Sequence, residues 1–279
     1  MKRIAALTMV RNGGFYLSRW VRYYGSLLGK ENLYIYFDGE DQDVPDFAEG
    51  CNTELVPRTP GNVREADKGR IKFLSGKASG LFNSYDLLIG TDVDEFLIVD
   101  PSLRMSLPEF LSSLDTAGKT SFSGLGCDVI QHLKFERPLD RSKGLLEQRS
   151  YACLSTRYTK TSVLCKPVAW GSGFHRTKKG NFHIVPDLFL FHFGCADVPD
   201  NELKLMDKDL AERGWGRHLN KRMNMIYTAS RLPVRDWSKW TTLARSLQTW
   251  IRRPFTWNKP AMLNLKLLVR IPERFSGTV

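Results

Sequence analysis

The sequence has 279 residues, of which 42% are hydrophobic and 25% charged, so it is long enough to bury a sizeable core and is not that of a disordered chain. Its net charge of +11 is uneven, because residues 1–216 hold 28 Lys and Arg against 28 Asp and Glu, whereas residues 217–279 hold 13 against 2. No stretch approaches the roughly 18 uninterrupted apolar residues of a membrane-spanning helix, no signal-peptide core follows Met1, and the five cysteines include no CxxC pair. We therefore expect a cytoplasmic protein with reduced thiols.

The first elements alternate between apolar runs and an amphipathic stretch. The β-rich run from Ile4 to Val10 predicts a strand. Aromatic and leucine side chains at helical spacing between Phe15 and Leu28 predict a helix, which ends at Gly29. Leu33 to Phe37 predicts a second strand. The order is therefore strand, helix, strand.

The same alternation continues to about residue 100. Glu54 to Val56 predicts a short third strand, and residues 64–83 predict a basic helix in spite of three glycines. A fourth strand is centred on Leu87 to Ile89, whose unbroken apolar character is typical of a parallel strand buried on both faces. The pattern predicts an α/β fold with a mostly parallel sheet, in which ligands bind beyond the carboxyl ends of the strands. Asp38 and Asp92 both lie at such ends.

The second half of the chain has a less regular pattern. A helix is predicted from Leu107 to Leu114 and another from Pro199 to Arg213. Apolar or alternating runs predict further strands at Phe96–Val99, Ser121–Ile130, Ser162–Val168 and Phe182–Phe193. We expect two parts, a catalytic-type domain over residues 1–216 and a mainly helical, basic segment over residues 217–279.

The basic segment has features of a surface that binds anions. It holds four of the seven tryptophans, at Trp237, Trp240, Trp250 and Trp257, and prolines at 233, 254, 260 and 272 interrupt its helical pattern. A basic stretch with such aromatics can lie on an anionic membrane surface. Nucleic acid uses the same ingredients and is the less favoured partner, and a solvated helical cap on the core is the plain alternative.

Three Asp-x-Asp triplets are present, and their surroundings differ. Asp41-Gln42-Asp43 and Asp207-Lys208-Asp209 lie in polar surroundings, which indicates solvated surface. Asp92-Val93-Asp94 follows the buried fourth strand directly and is followed by Glu95. Three crowded carboxylates repel one another unless a positive charge lies among them, and a hard divalent cation such as Mn²⁺ or Mg²⁺ is the simplest candidate. A carboxylate-rich turn that begins the next element is the alternative.

Several blocks of sequence surround these residues. They are Val10-Arg11-Asn12 before an aromatic helix, Tyr34-Ile35-Tyr36-Phe37-Asp38, and Ile89-Gly90-Thr91-Asp92-Val93-Asp94-Glu95-Phe96-Leu97. Over roughly the first hundred residues the chain resembles glycosyltransferase family 2-like proteins with the GT-A fold. Gly173-Phe174-His175-Arg176 and Leu190-Phe191-His192-Phe193 are similar to the less regular acceptor-side blocks of that group. The resemblance implies a Rossmann-like sheet of the nucleotide-diphospho-sugar transferase type.

The resemblance also implies roles for individual residues. Asp38 would contact the base or ribose of a nucleotide sugar, Asp92 would face the ribose and the metal, and Asp94 would be a direct metal ligand. His192 would complete the metal site, although a histidine between two phenylalanines is as often a core residue. Arg11 and Asn12 would line the nucleotide site, with ordinary turn chemistry as the alternative for these two and for Asp38.

The reaction would need two further groups of residues, cations that bind the diphosphate and a general base. One or two basic residues of the predicted helix would reach the diphosphate, with Arg70 the chosen candidate among Arg64, Lys68, Arg70, Lys72 and Lys77. The alternative is that these charges form the solvated face of the helix. The resemblance implies inversion at the sugar carbon, which needs a single general base. Asp187 is the preferred base, and Asp197, Glu147 and His175 are the other candidates.

The expected function is therefore a metal-dependent, inverting glycosyltransferase. It would use a nucleotide-sugar donor and a glycan, lipid-linked or other hydroxyl acceptor, and would lie against the inner face of a membrane. A nucleotidyltransferase is an alternative, although no early Gly-rich phosphate loop is present beyond Gly13-Gly14. A binding module without activity, specific for anionic lipid or nucleic acid, is the third possibility.

Overall fold

The computed structural model describes residues 1–180, 182–251 and 266–279, which form one large sheet flanked by helices. The strands within these ranges are β1 (Ile4–Val10), β2 (Leu33–Asp38), β3 (Asn52–Val56), β4 (Leu87–Gly90), β5 (Glu95–Val99), β6 (Ser121–Ile130), β7 (Tyr151–Leu154), β8 (Val163–Leu164), β9 (Phe182–Cys195) and β10 (Leu267–Arg270). The helices are α1 (Gly14–Leu28), α2 (Val63–Leu81), α3 (Leu107–Ser113), α4 (Leu145–Gln148), α5 (Val198–Met206), α6 (Lys208–Glu212), α7 (Gly216–Ala229) and α8 (Trp237–Trp250).

The first four strands form a parallel sheet in the order β3-β2-β1-β4. All seven residues of β1 are buried, because both faces of this strand are covered. Ala6 and Val10 pack in the cluster that contains the apolar side of α1, whereas Leu7 and Met9 pack in the cluster that contains the apolar side of α2. The parallel arrangement brings the carboxyl ends of β1, β2 and β4 to one edge of the sheet.

The second half of the chain extends the sheet with mixed pairing. β8 pairs antiparallel with β4 and β6, and β7 pairs antiparallel with β6 and β10. β9 runs parallel to β6 along one edge and antiparallel to β5 along the other. The predicted α/β class is confirmed, and the parallel order of the first half is that of a Rossmann-like sheet.

Most predicted elements occur at their predicted positions. β1 and β6 have the predicted bounds. α2 spans most of the predicted range 64–83, and a capping box between Asn62 and Glu65 stabilises its first turn. The run at 162–168 contains only the two-residue strand β8. The single helix predicted from Pro199 to Arg213 is two helices, because Asp207 leaves the helical conformation and its side chain caps α6.

The described part of the basic segment is joined to the main sheet. α7 places Met223 and Ile226 against Ile130 and Cys195, and β10 adds an antiparallel strand beside β7. The segment therefore contains a strand as well as helices. The sequence pattern did not predict this strand, β10. The features expected at Pro254, Trp257 and Pro260 lie outside the described residues. None of the described helices combines the length and apolar character needed to span a membrane.

Candidate active site

Four residues, Thr91 to Asp94, form the turn that joins β4 to β5 at the carboxyl edge of the sheet. The indole Nε1 of Trp20 in α1 donates a hydrogen bond to Thr91 Oγ1 at 2.9 Å. The backbone N–H of Asp92 donates to Glu95 Oε2 at 3.2 Å, and the N–H of Glu95 donates to the Asp92 carbonyl at 3.0 Å. Two of the three predicted carboxylates, Asp92 and Asp94, therefore lie on a turn that is held from both sides, and Glu95 begins the next strand.

Two basic side chains form ion pairs with the carboxylate of Asp92. Arg70 Nη1 in α2 lies 2.6 Å from Asp92 Oδ1, and Lys160 Nζ lies 2.9 Å from Asp92 Oδ2. Lys160 also lies 2.5 Å from Glu95 Oε1, and its side chain is only 3% exposed. Protein side chains therefore supply part of the positive charge that the crowded carboxylates of Asp92, Asp94 and Glu95 need.

These ion pairs shift the pKa values of the buried groups. Burial alone would raise the pKa of Asp92, but the charges of Arg70 and Lys160 outweigh it and hold that pKa well below its usual range. Burial raises the pKa of Glu95 to about 7, against the opposing effect of Lys160. For Lys160, burial acts to lower the pKa, but Asp92 and Glu95 together raise it. The lysine is therefore a permanent cation at this position.

Asp94, the second aspartate of the triplet, faces a histidine. His192 Nε2 lies 3.5 Å from Asp94 Oδ2, and His192 Nδ1 lies 2.7 Å from Asp128 Oδ1. The strands explain this meeting, because β9 brings His192 opposite Glu95 of β5 and beside Asp128 of β6. The Asp128 side chain is 6% exposed and the His192 side chain 3%, so the pair is buried, whereas the Asp94 side chain is 15% exposed at the surface of the site.

The space between Asp94 and His192 favours a positive charge. Burial would lower the pKa of His192, but Asp94 and Asp128 outweigh it and raise that pKa to about 9. The neighbouring His192 in turn holds the pKa of Asp94 below its usual range, against the effect of burial. A proton on the imidazole is one way to place a cation here, and a metal ion between the two side chains is another.

Two residues that the sequence did not indicate complete this side of the site. The ring of Tyr158 stacks on His192 with 3.7 Å between centroids. Arg222 of α7 interacts electrostatically with Asp94 and Asp128. Its guanidinium makes no hydrogen bond or ion pair with any residue that the structure describes, so its donors remain available to a ligand.

The predicted nucleotide-binding residues lie at the same edge of the sheet. Asp38 Oδ1 accepts hydrogen bonds from Thr59 N at 2.6 Å and Thr59 Oγ1 at 2.7 Å. Arg11 forms two hydrogen bonds with the carboxylate of Asp41, at 2.6 and 2.7 Å. Asn12 has a positive φ of 49° and lies in the turn after β1. The structure therefore brings Arg11, Asn12 and Asp38 together, although Asp38 is already bonded within the protein.

Asp187, the predicted general base, lies elsewhere. It is exposed, has a positive φ of 59°, and its carbonyl accepts from the backbone N–H of Asp100 at 2.8 Å. In the pairing of β5 with β9, His192 is opposite Glu95, whereas Leu188 is opposite Val99. The five residue-to-residue steps from 187 to 192 span about 17 Å of strand. Asp187 therefore lies too far along the strand from His192 to act as the general base of this site.

Of the other candidate bases, only one lies beside the site. The carboxylates of Asp197 and Glu147 accept hydrogen bonds from backbone amides at the starts of α5 and α4. His175 is exposed and interacts electrostatically with Lys160 and Asp92. The protein atoms around its ring and the Lys160 cation lower the pKa of His175, so the imidazole is neutral near pH 7.

The residues present fit a divalent metal only in part. Among the described residues, no group of three or more His, Cys, Asp or Glu side chains is arranged to hold a metal ion. Asp92 does not fit as a ligand, because Arg70 and Lys160 occupy its two oxygens. Asp94 and His192 do fit, since the bond from His192 Nδ1 to Asp128 is the outer contact that usually orients a metal-binding imidazole.

Comparison with known proteins assigns no family to the chain. No family model matches it, and no curated protein matches it. Among solved structures it is similar to the mannosyltransferase PcManGT from Pyrobaculum calidifontis, in complex with GDP-Man and Mn²⁺, with a TM-score of 0.41 and 10% identity over 88% of this chain and 73% of that one.

Two other solved structures are less similar. The galactosyltransferase LgtC, in complex with donor and acceptor sugar analogues, has a TM-score of 0.29 and 10% identity over 58% of each chain. A protein described as mannose-1-phosphate geranyltransferase from Thermus thermophilus has a TM-score of 0.29 and 11% identity over 96% of this chain and 74% of that one. Scores and identities this low do not transfer an activity, so the geometry of the site has to carry the functional inference.

Proposed function

We propose that the protein is a metal-dependent, inverting glycosyltransferase of the family 2-like type, which moves a sugar from a nucleotide sugar to an acceptor hydroxyl. The observation that carries this proposal is the buried Asp128–His192 pair, which faces Asp94 beside the guanidinium of Arg222, a group with no hydrogen-bond partner among the described residues. A carboxylate and an imidazole suit a divalent cation, and a guanidinium suits phosphate oxygens. Their common ligand is a metal-bound diphosphate.

The position of the site supports the same donor. Ligands of open α/β sheets bind beyond the carboxyl ends of the strands, where Arg11, Asn12, Asp38 and the Asp92 turn lie. The nucleoside would lie along β1 and β2, and the diphosphate would extend towards Asp94 and Arg222. Arg70 and Lys160 would act on the donor indirectly, because they hold Asp92 and thereby the turn that carries Asp94.

The chemistry would depend on charge that develops on the leaving diphosphate. Mn²⁺ or Mg²⁺ held by Asp94 and His192 would act as a Lewis acid that stabilises this charge. Arg222 would donate hydrogen bonds to the same oxygens, and Asp128 would keep the His192 ring in its orientation. Residues of α7 would also shield the site from water, because this helix packs on β9.

Inversion requires one base that removes the proton of the acceptor hydroxyl. His175 takes this role in the proposal, because it is the candidate base that lies beside the site, with a neutral imidazole and an exposed side chain. Its neighbour Lys160 is a fixed cation and cannot accept a proton near pH 7.

A membrane surface is the proposed location of the enzyme. Trp250 is 83% exposed and Ile251 is 52% exposed at the end of α8, in the segment that carries the whole net charge of the chain. Exposed tryptophan beside basic residues is the usual combination at an anionic lipid interface.

Thermal-shift and calorimetric titration with UDP-, GDP- and dTDP-sugars, with and without Mn²⁺, would test the donor site. We expect one nucleotide class to bind only with the metal, and Asp94→Asn to abolish that binding. Asp43→Asn is the matched control, since Asp43 belongs to an Asp-x-Asp triplet on the surface. The proposal would be wrong if no sugar nucleotide bound with Mn²⁺ and Asp94→Asn changed nothing. Release of pyrophosphate from a nucleoside triphosphate would instead show a nucleotidyltransferase.

A further inference from the structure

A second cleft opens outside the candidate active site, at the edge of the sheet where β7 and β10 pair. Its volume is about 370 Å³, which is within the range of small-ligand sites. Four side chains give it its chemical character: Phe135, Arg137, Tyr151 and Arg270. Tyr151 and Arg270 are direct cross-strand neighbours, so a ring and a guanidinium project from the same place. We call this the β7–β10 cleft.

The aromatic side of the cleft is open to solvent. Phe135 is 69% exposed, although a large apolar ring is normally buried. Its centroid lies 6.1 Å from that of Tyr151, and the two planes differ by 23°. The buried ring of His132 lies against both, with centroids 4.7 Å from Phe135 and 4.6 Å from Tyr151. The rings therefore form a supported platform with an exposed face.

The acidic residues of the cleft are already bonded within the protein. The two carboxylate oxygens of Glu136 accept from the backbone N–H groups of His132 and Ser150, each at 2.7 Å. Glu147 Oε2 accepts from the N–H of Gly144 at 3.1 Å. These carboxylates stabilise the loop that bears Phe135 and the start of α4, and neither forms an ion pair with an arginine of the cleft.

The arginines of the cleft differ in their commitments. Arg149 is 1% exposed, donates to the carbonyl of Ala196 at 2.5 Å, and pairs with Asp197 at 3.5 Å. Arg137 and Arg270 are exposed, and neither has an ion-pair partner within the part of the chain that the structure describes. As far as the described residues go, these two guanidiniums beside an aromatic platform can bind an anionic ligand.

The cleft lies at the end of a strand, β7, whose pairing partner β6 carries Asp128 of the candidate active site, and the buried side chains of Cys153 and Met223 lie between the two places. Asp128, which holds His192, is opposite Cys153 in the pairing of β6 with β7. Tyr151 is two residues further along β7, or about 7 Å. α7 spans the same interval. Arg222 of this helix lies at the active site. Just after the helix ends, Ser230 Oγ accepts a hydrogen bond from the backbone N–H of Leu133 at 3.0 Å.

We propose that the β7–β10 cleft binds an acidic sugar, such as a uronate residue, in an extended acceptor glycan, an inference that rests on the proposed glycosyltransferase function. Exposed aromatic faces stack on the C–H faces of sugar rings, and the planar guanidiniums of Arg137 and Arg270 suit a carboxylate. The cleft thus selects an acceptor glycan that carries negative charge.

Binding of two tetrasaccharides to the full-length protein tests this assignment by calorimetry or NMR. One contains alternating glucuronate and N-acetylglucosamine, and the other is neutral cellotetraose. We expect the acidic tetrasaccharide to bind at least tenfold more tightly. Arg137→Gln, Arg270→Gln and Phe135→Ala should each weaken its binding by tenfold or more, and added salt should weaken it further. Arg3→Gln, at an exposed arginine outside both sites, should leave it unchanged.

Equal affinities for the acidic and the neutral tetrasaccharide would overturn the inference. So would unchanged affinity in all three cleft variants, provided that they melt at the same temperature as the parent. A third contrary result would be a mononucleotide that binds more tightly than the acidic tetrasaccharide and loses its binding in Phe135→Ala. The outcome is separable from that of the proposed function. Asp94→Asn should remove binding of the sugar nucleotide with Mn²⁺ and leave binding of the acidic tetrasaccharide intact, so each site passes or fails by its own measurement.

Discussion

The ammonium of Lys160 lies 2.9 Å from the carboxylate of Asp92, where only 3% of the lysine side chain is exposed. The same ammonium neutralises the fully buried Glu95, so it holds together two carboxylates of one turn. Its removal would leave the carboxylate of Asp92 with Arg70 as its ion-pair partner, and would force the buried Glu95, whose pKa is already raised to about 7, to take up a proton. The Asp92 turn therefore depends on a residue that lies 68 positions away in the sequence.

Lys160→Met should destabilise the protein by about 3 kcal/mol, because loss of one partner leaves uncompensated buried charge. Urea unfolding at pH 7, followed by circular dichroism, gives this free energy. Lys143→Met is the matched control, since the side chain of Lys143 is 62% exposed and its ion pair with Asp140 lies at the surface. The control should change stability by about 0.5 kcal/mol or less. Equal effects of the two variants would show that Lys160 has no structural role.

Arg222→Gln should weaken binding of a nucleoside diphosphate with Mn²⁺ by about tenfold to a hundredfold, as expected for loss of a charged hydrogen-bond donor. The fold should be unaffected, because the guanidinium has no hydrogen-bond partner among the described residues. Calorimetric titration with UDP and GDP measures the affinity. Arg217→Gln, at an exposed arginine of the same helix, is the control and should bind normally. Normal binding by Arg222→Gln would remove this arginine from the donor site.

The first half of the fold was predictable because its signals are local. β1, β2 and β4 are continuous apolar runs, and the aromatic spacing of α1 specifies a helix without reference to the rest of the chain. The second half was harder to predict, because its strands pair across long separations. β8 has two residues and exists through its pairing with β4 and β6, so its seven-residue sequence run overstated its length.

The candidate site was predictable to the same extent. Asp92 and Asp94 follow a buried strand, and that position is visible in the sequence. Lys160, Asp128 and Arg222 come from a loop, a strand and a helix, and no short motif marks any of them. Asp128 had one weak signal, as a lone acid in an otherwise apolar or small-residue run. Their role follows from the sheet pairing that brings distant residues together.

The ion pair between Asp100 and Arg274 should make stability depend on pH in the acid range. Burial acts to raise the pKa of Asp100, but two hydrogen bonds from Arg274, each at 2.7 Å, and those from Ser102 outweigh it and lower that pKa. Because the pKa of Asp100 is lower in the folded state, its carboxylate stabilises the protein at pH values above the ordinary Asp pKa of about 4. This contribution to stability is lost as the pH falls through the folded-state pKa.

Asp100→Asn should therefore cost about 2 kcal/mol at pH 7 and much less at about pH 2.5. Urea unfolding of both proteins at a series of pH values gives the two curves. The parent protein should lose stability more steeply than the variant below about pH 4.5. Asp43→Asn, at an exposed carboxylate, should run parallel to the parent. A pH-independent difference between parent and Asp100→Asn would mean that the pKa of Asp100 is not lowered by folding.

Vesicle sedimentation would test the proposed membrane surface. The protein should bind vesicles that contain phosphatidylserine, bind weakly to vesicles of phosphatidylcholine alone, and dissociate as salt is raised. Trp250→Ser should reduce binding severalfold, because the exposed indole would enter the lipid interface. Phe135→Ala is the matched control, since it removes exposed aromatic area elsewhere on the molecule. Equal losses in both variants would indicate general surface hydrophobicity and no specific membrane-binding face.

Gly194 allows His192 and Arg222 to come close together. A Cβ at this position would collide with the imidazole of His192 and lie 2.7 Å from the guanidinium carbon of Arg222. Gly194→Ala should therefore displace both side chains and weaken binding of UDP or GDP with Mn²⁺ by more than tenfold. Crowding in a packed region should also cost about 1–3 kcal/mol of stability.

Gly76→Ala is the matched control, because a Cβ at Gly76 in α2 would meet no atom within 4 Å. Alanine in a helix interior is favoured over glycine, so this variant should gain about 0.5–1 kcal/mol and bind normally. Calorimetric titration and urea unfolding of the two variants give both quantities. If Gly194→Ala kept full affinity for the metal-bound diphosphate, the positions of His192 and Arg222 would not matter for binding, and the donor site would have to be placed elsewhere on the sheet edge.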